Sequence, residues 1–397
     1  MVLNAQVEGY LSKASWIRRM FEAGIELKKQ YGPEHVFDFS LGNPDLAPPP
    51  VVAQTLHELA DSAQEPFAFG YMPNAGYPDV RERLAQTIAA EQGVAFTASH
   101  VLLTCGAAGG INALFRAVLE PNDEVLCPAP FFVEYGFYAE NHRGSLRTAP
   151  AKPLTFELDL DALARSITSR TRCVLINSPN NPTGRVYSQT ELTALANILR
   201  EASARTGRPI LLVSDEPYRF LTYDGVEVPG IFPVYEHAVV ISSFSKNLAL
   251  AGERVGYVAV NPAMPEADKL MAGLILANRI LGFVNAPALG QKLLAKALGH
   301  AVDVSLYAKR RDAMAEMLRQ AGVEFSLPQG AFYFFPRIPV GTDDTAFVNM
   351  LMEEQILAVP GSGFGYPGYF RLAFCVDEHV IRAAGPGFAR AVARARR

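Results

Sequence analysis

Between about residues 100 and 260, short and nearly unbroken apolar runs alternate with amphipathic stretches: HVLLTCG, DEVLCPAP, RCVLINSP, PILLVSDE, AVVISSFS and GYVAV. Strands buried on both faces need such continuous runs, and the helical patterns between them are long enough to serve as crossovers. The pattern therefore predicts an α/β fold with a mostly parallel sheet. Nearly every run ends in a cluster of Gly, Pro, Ser, Asn or Asp. Open parallel sheets bind ligands beyond the carboxyl ends of their strands, so these clusters mark where chemistry is to be sought. The C-terminal part reads differently: a long helical stretch, VDVSLYAKRRDAMAEMLRQAG, precedes the strand-like GAFYFFPRI, ILAVP and YFRLAF. It predicts a smaller α+β lobe, which the N-terminal segment through FDFSLG joins. The expected division is an N-terminal segment with part of the small lobe over 1–46, a large lobe over 47–288 and a small C-terminal lobe over 289–397.

Composition narrows the class. A chain of 397 residues that is 49% hydrophobic can bury a large core in two lobes. A formal charge of -4 and 19% charged residues leave neither a nucleic-acid footprint nor an acidic tail. Cys105, Cys127, Cys173 and Cys375 lie far apart without CxxC or Cys/His spacing, which argues against a disulfide framework and a zinc site. They suit small buried hydrophobes in a reducing compartment. The scattered histidines lack metal spacing. The opening MVLNAQVEGYLSKASWIRRM has no apolar core of signal-peptide length, and no apolar run approaches about 20 residues. A cytoplasmic protein without membrane or nucleic-acid partners is expected.

The strand ends carry the candidate chemistry. TCGAAGG, from Thr104 to Gly110, opens the helical INALFRAVL. Small residues there expose backbone N–H groups at the positive end of the helix dipole, a phosphate site, although tight packing accounts for them equally well. Phe131, Phe132 and Tyr135 of PAPFFVEY read as core by default. NSPNNPTG, Asn177 to Gly184, is a rigid polar loop. SDEPY puts Asp215 directly after the buried ILLV, where a carboxylate must be paired or hydrogen-bonded. In SSFSKNLALAGERVGY, Lys246 follows an apolar strand and Arg254 comes eight residues later. A surface loop is the plain reading of that lysine. One ligand accounts for the whole set: a planar phosphorylated heterocycle with a ring nitrogen and an aldehyde, pyridoxal phosphate. A lysine bonds the aldehyde and an aspartate keeps the ring nitrogen protonated. At ~4 Å and an effective dielectric of about 20, such an ion pair contributes about 4 kcal/mol, roughly three pKa units.

YMPNAG, NSPNNPTG, SDEPY and SFSKNLALAGERVGY occur together in the order and at the spacing of the class I/II aminotransferases, fold type I of the pyridoxal-phosphate enzymes. The chain resembles that family from about Phe37 to Phe374. The resemblance implies that Lys246 bonds the cofactor and carries a proton between the substrate α-carbon and the cofactor. It gives Asp215 to the pyridine nitrogen, Tyr218 and Asn181 to the phenolic oxygen, and Phe132 to a ring face. The phosphate falls to the backbone of Ala107 and Ala108, to Ser243 and to Arg254, with Gly106 and Ser245 beside them. Arg371 of YFRLAF matches the arginine that grips the substrate α-carboxylate, joined by Gly42 and Asn181. Tyr71 matches a tyrosine that reaches the neighbouring subunit's phosphate, which implies a homodimer with shared active sites.

The chain departs from the family pattern at Ala108, where many relatives have Ser or Thr, and at Phe132, where Trp or Tyr is more familiar. Phe283, in GFVNAP, stands where dicarboxylate-specific relatives place an arginine from the neighbouring subunit. The implied reaction moves an α-amino group from an L-amino acid to a 2-oxo acid, with 2-oxoglutarate the expected acceptor. A β C–S lyase of the same fold would use the same lysine, aspartate and arginine and stays open. A ligand-sensing regulator, which would carry a winged-helix extension ahead of FDFSLG, is not expected. GFGYPG, from Gly363 to Gly368, satisfies GxGxxG but leads into a strand, so it is expected to be a loop at the substrate mouth. The stripe GAFYFFP reads as core, with Phe332 its candidate for facing the site. Trp16 is a candidate cover for the cleft and equally a candidate exposed anchor.

Overall fold

Residues 2–12 and 16–397 are described by the computed structural model. Its strands, in chain order, are β1 (Phe37–Asp38), β2 (Val101–Cys105), β3 (Glu124–Ala129), β4 (Ser145–Pro150), β5 (Thr171–Asn177), β6 (Leu211–Asp215), β7 (Ala238–Ser243), β8 (Val255–Val260), β9 (Tyr333–Phe334), β10 (Ile356–Leu357), β11 (Val359–Pro360) and β12 (Phe370–Ala373). The large sheet has the order β2-β8-β7-β6-β5-β3-β4. Strands β4, β3, β5, β6 and β7 run parallel, while β8 is antiparallel to both β7 and β2. The six apolar runs are six of these strands. The seventh, β4, reads SLRTAP and is absent from the apolar pattern because it lies at the sheet edge, where only Ala149 is buried.

Alternation along the central strands feeds two cores, since successive side chains point to opposite faces. Val174, Leu212 and Val240 pack with the helices Pro78–Gln92 and Gln189–Thr206. Leu175, Val213 and Val239 pack with Gly106–Val118 and Ala267–Ile280. Each fully buried Val or Leu contributes about 1.5–3 kcal/mol. Helix Gly106–Val118 begins at the carboxyl end of β2 and lies close on the sheet. A Cβ on Gly110 would fall 2.9 Å from Val258 Cγ2 and 3.0 Å from Ile241 Cγ2.

The remaining strands build a second, aromatic-rich body. Strands β11, β12 and β9 form an antiparallel sheet, and β1 pairs in parallel with β10. Phe334, Phe347, Phe370, Phe374 and Phe388 fill its core. Helix Ala288–Ala297 packs on Pro50–Asp61 and Pro78–Gln92, and its Leu293, Leu294 and Ala297 belong to a core of the large sheet. The large body thus continues past the expected boundary between 288 and 289, and the small-lobe core takes up from Val302. The composition does not change across that helix, so the sequence carries no sign of the true join. No described helix is long and apolar enough to cross a membrane.

Glycines on two helices give opposite expectations. Gly110→Ala should destabilise the protein by about 1–3 kcal/mol through overpacking. Gly273, within helix Ala267–Ile280, has open space at its Cβ position, so Gly273→Ala should stabilise by about 0.5–1 kcal/mol. Urea-unfolding midpoints of the two variants check both signs.

Candidate active site

The carboxyl ends of β2, β5, β6 and β7 open into one cavity of about 290 Å³, closed on its far side by β12 and by the loop that follows β1. Its centre is Asp215, the last residue of β6. Oδ2 accepts a 2.5 Å hydrogen bond from the Tyr135 hydroxyl, while Oδ1 is buried without a partner. Burial pushes this carboxyl up to about 7; the Tyr135 hydrogen bond pulls it down and the charge of Glu216 pushes it up. Asn177, which ends β5 opposite Asp215 in register, donates to the Asp215 carbonyl at 2.8 Å and accepts from Asn181 N–H at 2.6 Å. Asn180 Oδ1 takes hydrogen bonds from the backbone and hydroxyl of Thr183. These side-chain bonds make NSPNNPTG rigid and aim Asn181 into the cavity.

Lys246 sits just beyond β7 and donates from Nζ to Gly42 O at 2.7 Å. Burial lowers its amine to about 8, with Cys375 raising it and Arg371 and Arg254 lowering it further. Its neutral, nucleophilic form is therefore far better populated near neutral pH than that of an ordinary lysine. At another end of the cavity the first turn of helix Gly106–Val118 presents Ala107 and Ala108 beside Ser243, Ser245 and Arg254. Ser243 Oγ donates to Ser245 Oγ at 3.3 Å. Arg254 holds a left-handed backbone with φ 52°, a conformation that costs a non-glycine residue about 1–3 kcal/mol. A Cβ on Gly106, whose own φ is 70°, would fall 2.8 Å from Arg254 Nη2.

Arg371, on β12, is 2% exposed and pairs with no carboxylate among the described residues. Its Nη1 donates to Asn181 Oδ1 at 3.0 Å, Nη2 donates to Ser40 O at 2.5 Å, and Nε has no partner. The guanidinium lies between the rings of Tyr333 and Phe364, at 4.7 and 4.8 Å. Tyr218, just past β6, has its hydroxyl 2.8 Å from that of Tyr333.

All the residues expected around one cofactor line this cavity except two. Gly106 lies immediately behind it. Tyr71 lies elsewhere: it is 96% exposed, in a groove it shares with Phe69, Cys105 and Phe283. Tyr135 and Tyr333 are among the lining residues that the sequence does not assign to the site. Tyr135 reads as core in the sequence, yet from the first turn of helix Glu134–Asn141 it lines the cavity and bonds Asp215, and Tyr138, three residues on, lines the cavity too. In GAFYFFP it is Tyr333 that lines the cavity, whereas Phe332 is fully buried with Lys246 Nζ 5.5 Å from its ring centre. GFGYPG forms a 3₁₀ turn and loop leading into β12; Phe131 N–H bonds Phe364 O at 3.2 Å, and Trp16 packs against Gly363.

A wound parallel sheet with a second lobe closing over its strand ends, and a buried lysine, aspartate and arginine converging there, define a fold type I pyridoxal-phosphate enzyme. The sequence profile of aminotransferase class I and II matches residues 34–385, and the chain belongs to that family of pyridoxal-phosphate-dependent transaminases. It is 31% identical over 383 residues to the aspartate/prephenate aminotransferase of Thermus thermophilus, covering 94% of each chain. It is 28% identical to aromatic-amino-acid aminotransferase 2 of Thermococcus litoralis, covering 97% of this chain and 96% of that one. Among solved structures, an amino transferase from Eubacterium rectale superposes with a TM-score of 0.96 at 37% identity over 100% of both chains. The aspartate aminotransferase of T. thermophilus with maleate gives 0.87 at 28% identity, over 98% of this chain and 100% of that one.

The Tyr135 hydroxyl keeps Asp215 closer to its ionised form than burial alone would. Tyr135→Phe leaves a buried acceptor unmet, which costs about 1–3 kcal/mol. The dissociation constant for pyridoxal phosphate, titrated into apo-protein by fluorescence, should rise about tenfold.

Proposed function

We propose that this chain transfers the α-amino group of an L-amino acid to a 2-oxo acid, with 2-oxoglutarate as acceptor, and acts as a cytoplasmic homodimer whose subunits share their active sites. One observation carries the reading: a single cavity is lined by a buried carboxyl with one oxygen unbonded, a buried guanidinium with an unbonded Nε and no ion pair among the described residues, and a lysine of lowered basicity. Burying charges without partners is expensive, so a cation at Asp215 and an anion at Arg371 would both stabilise the site. Pyridoxal phosphate and a substrate carboxylate are those two complements.

The residues present suit the cofactor. Asp215 Oδ1 is free to hold a protonated ring nitrogen, and Gly106, lacking a Cβ, lets Arg254 come in beside the helix N-terminus. The N–H groups of Ala107 and Ala108, the hydroxyls of Ser243 and Ser245, and Arg254 would grip the phosphate at the helix N-terminus. Tyr218 and Asn181 would donate to the phenolic oxygen, and Phe132 would cover one ring face. When bound, pyridoxal phosphate supplies a carbon that bonds the amine and a ring that accepts electron density from the α-carbon. Arg371 orients the substrate through its α-carboxylate, next to the Gly42 backbone; each charge-assisted hydrogen bond contributes about 1.5–3 kcal/mol. Lys246 Nζ, its basicity lowered by burial, would take the proton from the substrate α-carbon and return it on the cofactor side. The rings of Tyr333 and Phe364 shield Arg371 from water.

Two features support the shared-site dimer. Phe67, Phe69, Tyr71, Leu276 and Ile280 are large, apolar and at least half exposed, a pattern that marks protein interfaces. Tyr71 lies outside its own chain's cavity and is free to reach another. The four cysteines are unpaired, which suits a reducing compartment.

Borohydride treatment of the holoenzyme should fix the cofactor to Lys246, and Lys246→Ala should lose both that label and nearly all turnover while remaining folded. A label mapped to another lysine would refute the assignment. Pyruvate and ammonia released without an added oxo acid would point to elimination instead.

Specificity follows from Phe283, which offers a distal carboxylate no charge. A carboxylate buried against it is left unpaired. Neutral donors, such as alanine and larger aliphatic or aromatic amino acids, should be accepted at least as well as aspartate. Ratios of kcat/KM across a donor panel check this: an aspartate lead of more than about tenfold, or 1.4 kcal/mol, would mean that another cation reaches the distal carboxylate.

A further inference from the structure

Tyr333 does no more than shield in the proposed reaction, yet it touches both Arg371 and Tyr218 and lies against Gly42. It is the first residue of β9, 2% exposed, and pairs in register with Ala373 of β12, two positions from Arg371. Strand alternation turns its neighbours Phe332 and Phe334 into the small-lobe core and Tyr333 into the cavity. Its ring face lies 4.7 Å from the Arg371 guanidinium carbon, with Phe364 at 4.8 Å on the same guanidinium. Its hydroxyl lies 2.8 Å from the Tyr218 hydroxyl. It also stands where any side chain at position 42 would go, since a Cβ on Gly42 would fall 1.9 Å from Tyr333 Oη. The oxygen of that same Gly42 accepts from Lys246 Nζ.

We infer that Tyr333 is a positioning residue that ties the two halves of the site together: its ring holds Arg371 in the plane that receives a carboxylate, and its hydroxyl backs the hydroxyl of Tyr218. The inference rests on the proposed roles of Tyr218 and Arg371. A Tyr218 hydroxyl that donates to the cofactor's phenolic oxygen has its own oxygen left to accept, and Tyr333 is the donor beside it. Hydrogen bonds in such a chain polarise and strengthen one another. Burial raises the Tyr333 hydroxyl to about 12, with Arg371 pulling it down and Cys375 pushing it up, so it keeps the proton that it must donate. The ring contributes differently, because the face of an aromatic attracts a desolvated guanidinium. With Nη1 and Nη2 fixed by Asn181 and Ser40 and the plane held between two rings, Arg371 is set before any substrate arrives.

The two contributions separate in two variants of the holoenzyme. Tyr333→Phe keeps the ring and loses the hydroxyl; Tyr333→Met fills a similar volume with neither. The readouts are the pH titration of the bound cofactor's absorbance and the dissociation constant of 3-phenylpropionate, a monocarboxylate without an amine, by calorimetry. Tyr333→Phe should raise the absorbance midpoint by about one pH unit, a tenfold change in proton affinity, and leave 3-phenylpropionate binding within about twofold of wild type. Tyr333→Met should raise the midpoint similarly and weaken 3-phenylpropionate binding about tenfold. A midpoint in Tyr333→Phe equal to wild type would overturn the hydroxyl's role, and 3-phenylpropionate affinity in Tyr333→Met equal to wild type would overturn the ring's. Failure of the underlying reading looks different: 3-phenylpropionate binding that survives Arg371→Leu, or a midpoint indifferent to Tyr218→Phe, removes that reading and this inference with it.

Discussion

A carboxylate buried at the end of an apolar strand is the constraint on which this structure turns. β6 is buried along its whole length in the middle of the large sheet, and Asp215 ends it where water cannot compensate a charge. Tyr135 satisfies one oxygen and leaves the other bare. The carboxyl is consequently held near the point of neutrality at about 7, and a cation placed against it restores full ionisation. Neighbouring strands supply what surrounds that cation: β5 brings Asn177 and the loop aiming Asn181, and β7 leads into the turn carrying Lys246.

The opposite pole is the mirror case. Arg371 is as deeply buried, cushioned by two rings and given neutral acceptors rather than a carboxylate. A carboxylate partner within the protein would have stabilised the fold and closed the site to a substrate acid. The two lobes thus meet around unmet charge of both signs. A site of this kind sacrifices stability for a geometry that ligands complete.

Close packing prepares the remaining corner. Gly110 lets helix Gly106–Val118 lie directly on Val258 and Ile241, and Gly106 lets the chain turn beside Arg254. The run GAAGG admits two explanations in sequence, tight packing or anion binding. In the structure Gly110 serves tight packing and Gly106 brings Arg254 up to the helix start, because one face of the helix meets the sheet while its first turn meets the cavity.

The central strands were legible because a segment buried on both faces has to be apolar throughout, and little else in a soluble protein reads that way. β4 was not, since an edge strand needs almost no apolar residues, nor was the end of the large lobe, since helix Ala288–Ala297 looks the same whichever lobe it packs against. Asp215, Lys246, Asn181 and Arg254 were legible because polar residues at the ends of apolar strands are locally anomalous. Tyr135 and Tyr333 were not, because an aromatic residue in an aromatic run reads identically whether it faces the core or the cavity. By itself, then, the sequence determined the central strands, the family and the charged residues at the strand ends, all features written in the residues of single segments or in the order of those segments. Only the tertiary structure decided which tyrosines complete that site and which charges stay unpaired. Those depend on the rotation of one helix, the alternation of one short strand and the approach of segments more than a hundred residues apart, such as Tyr218 and Tyr333.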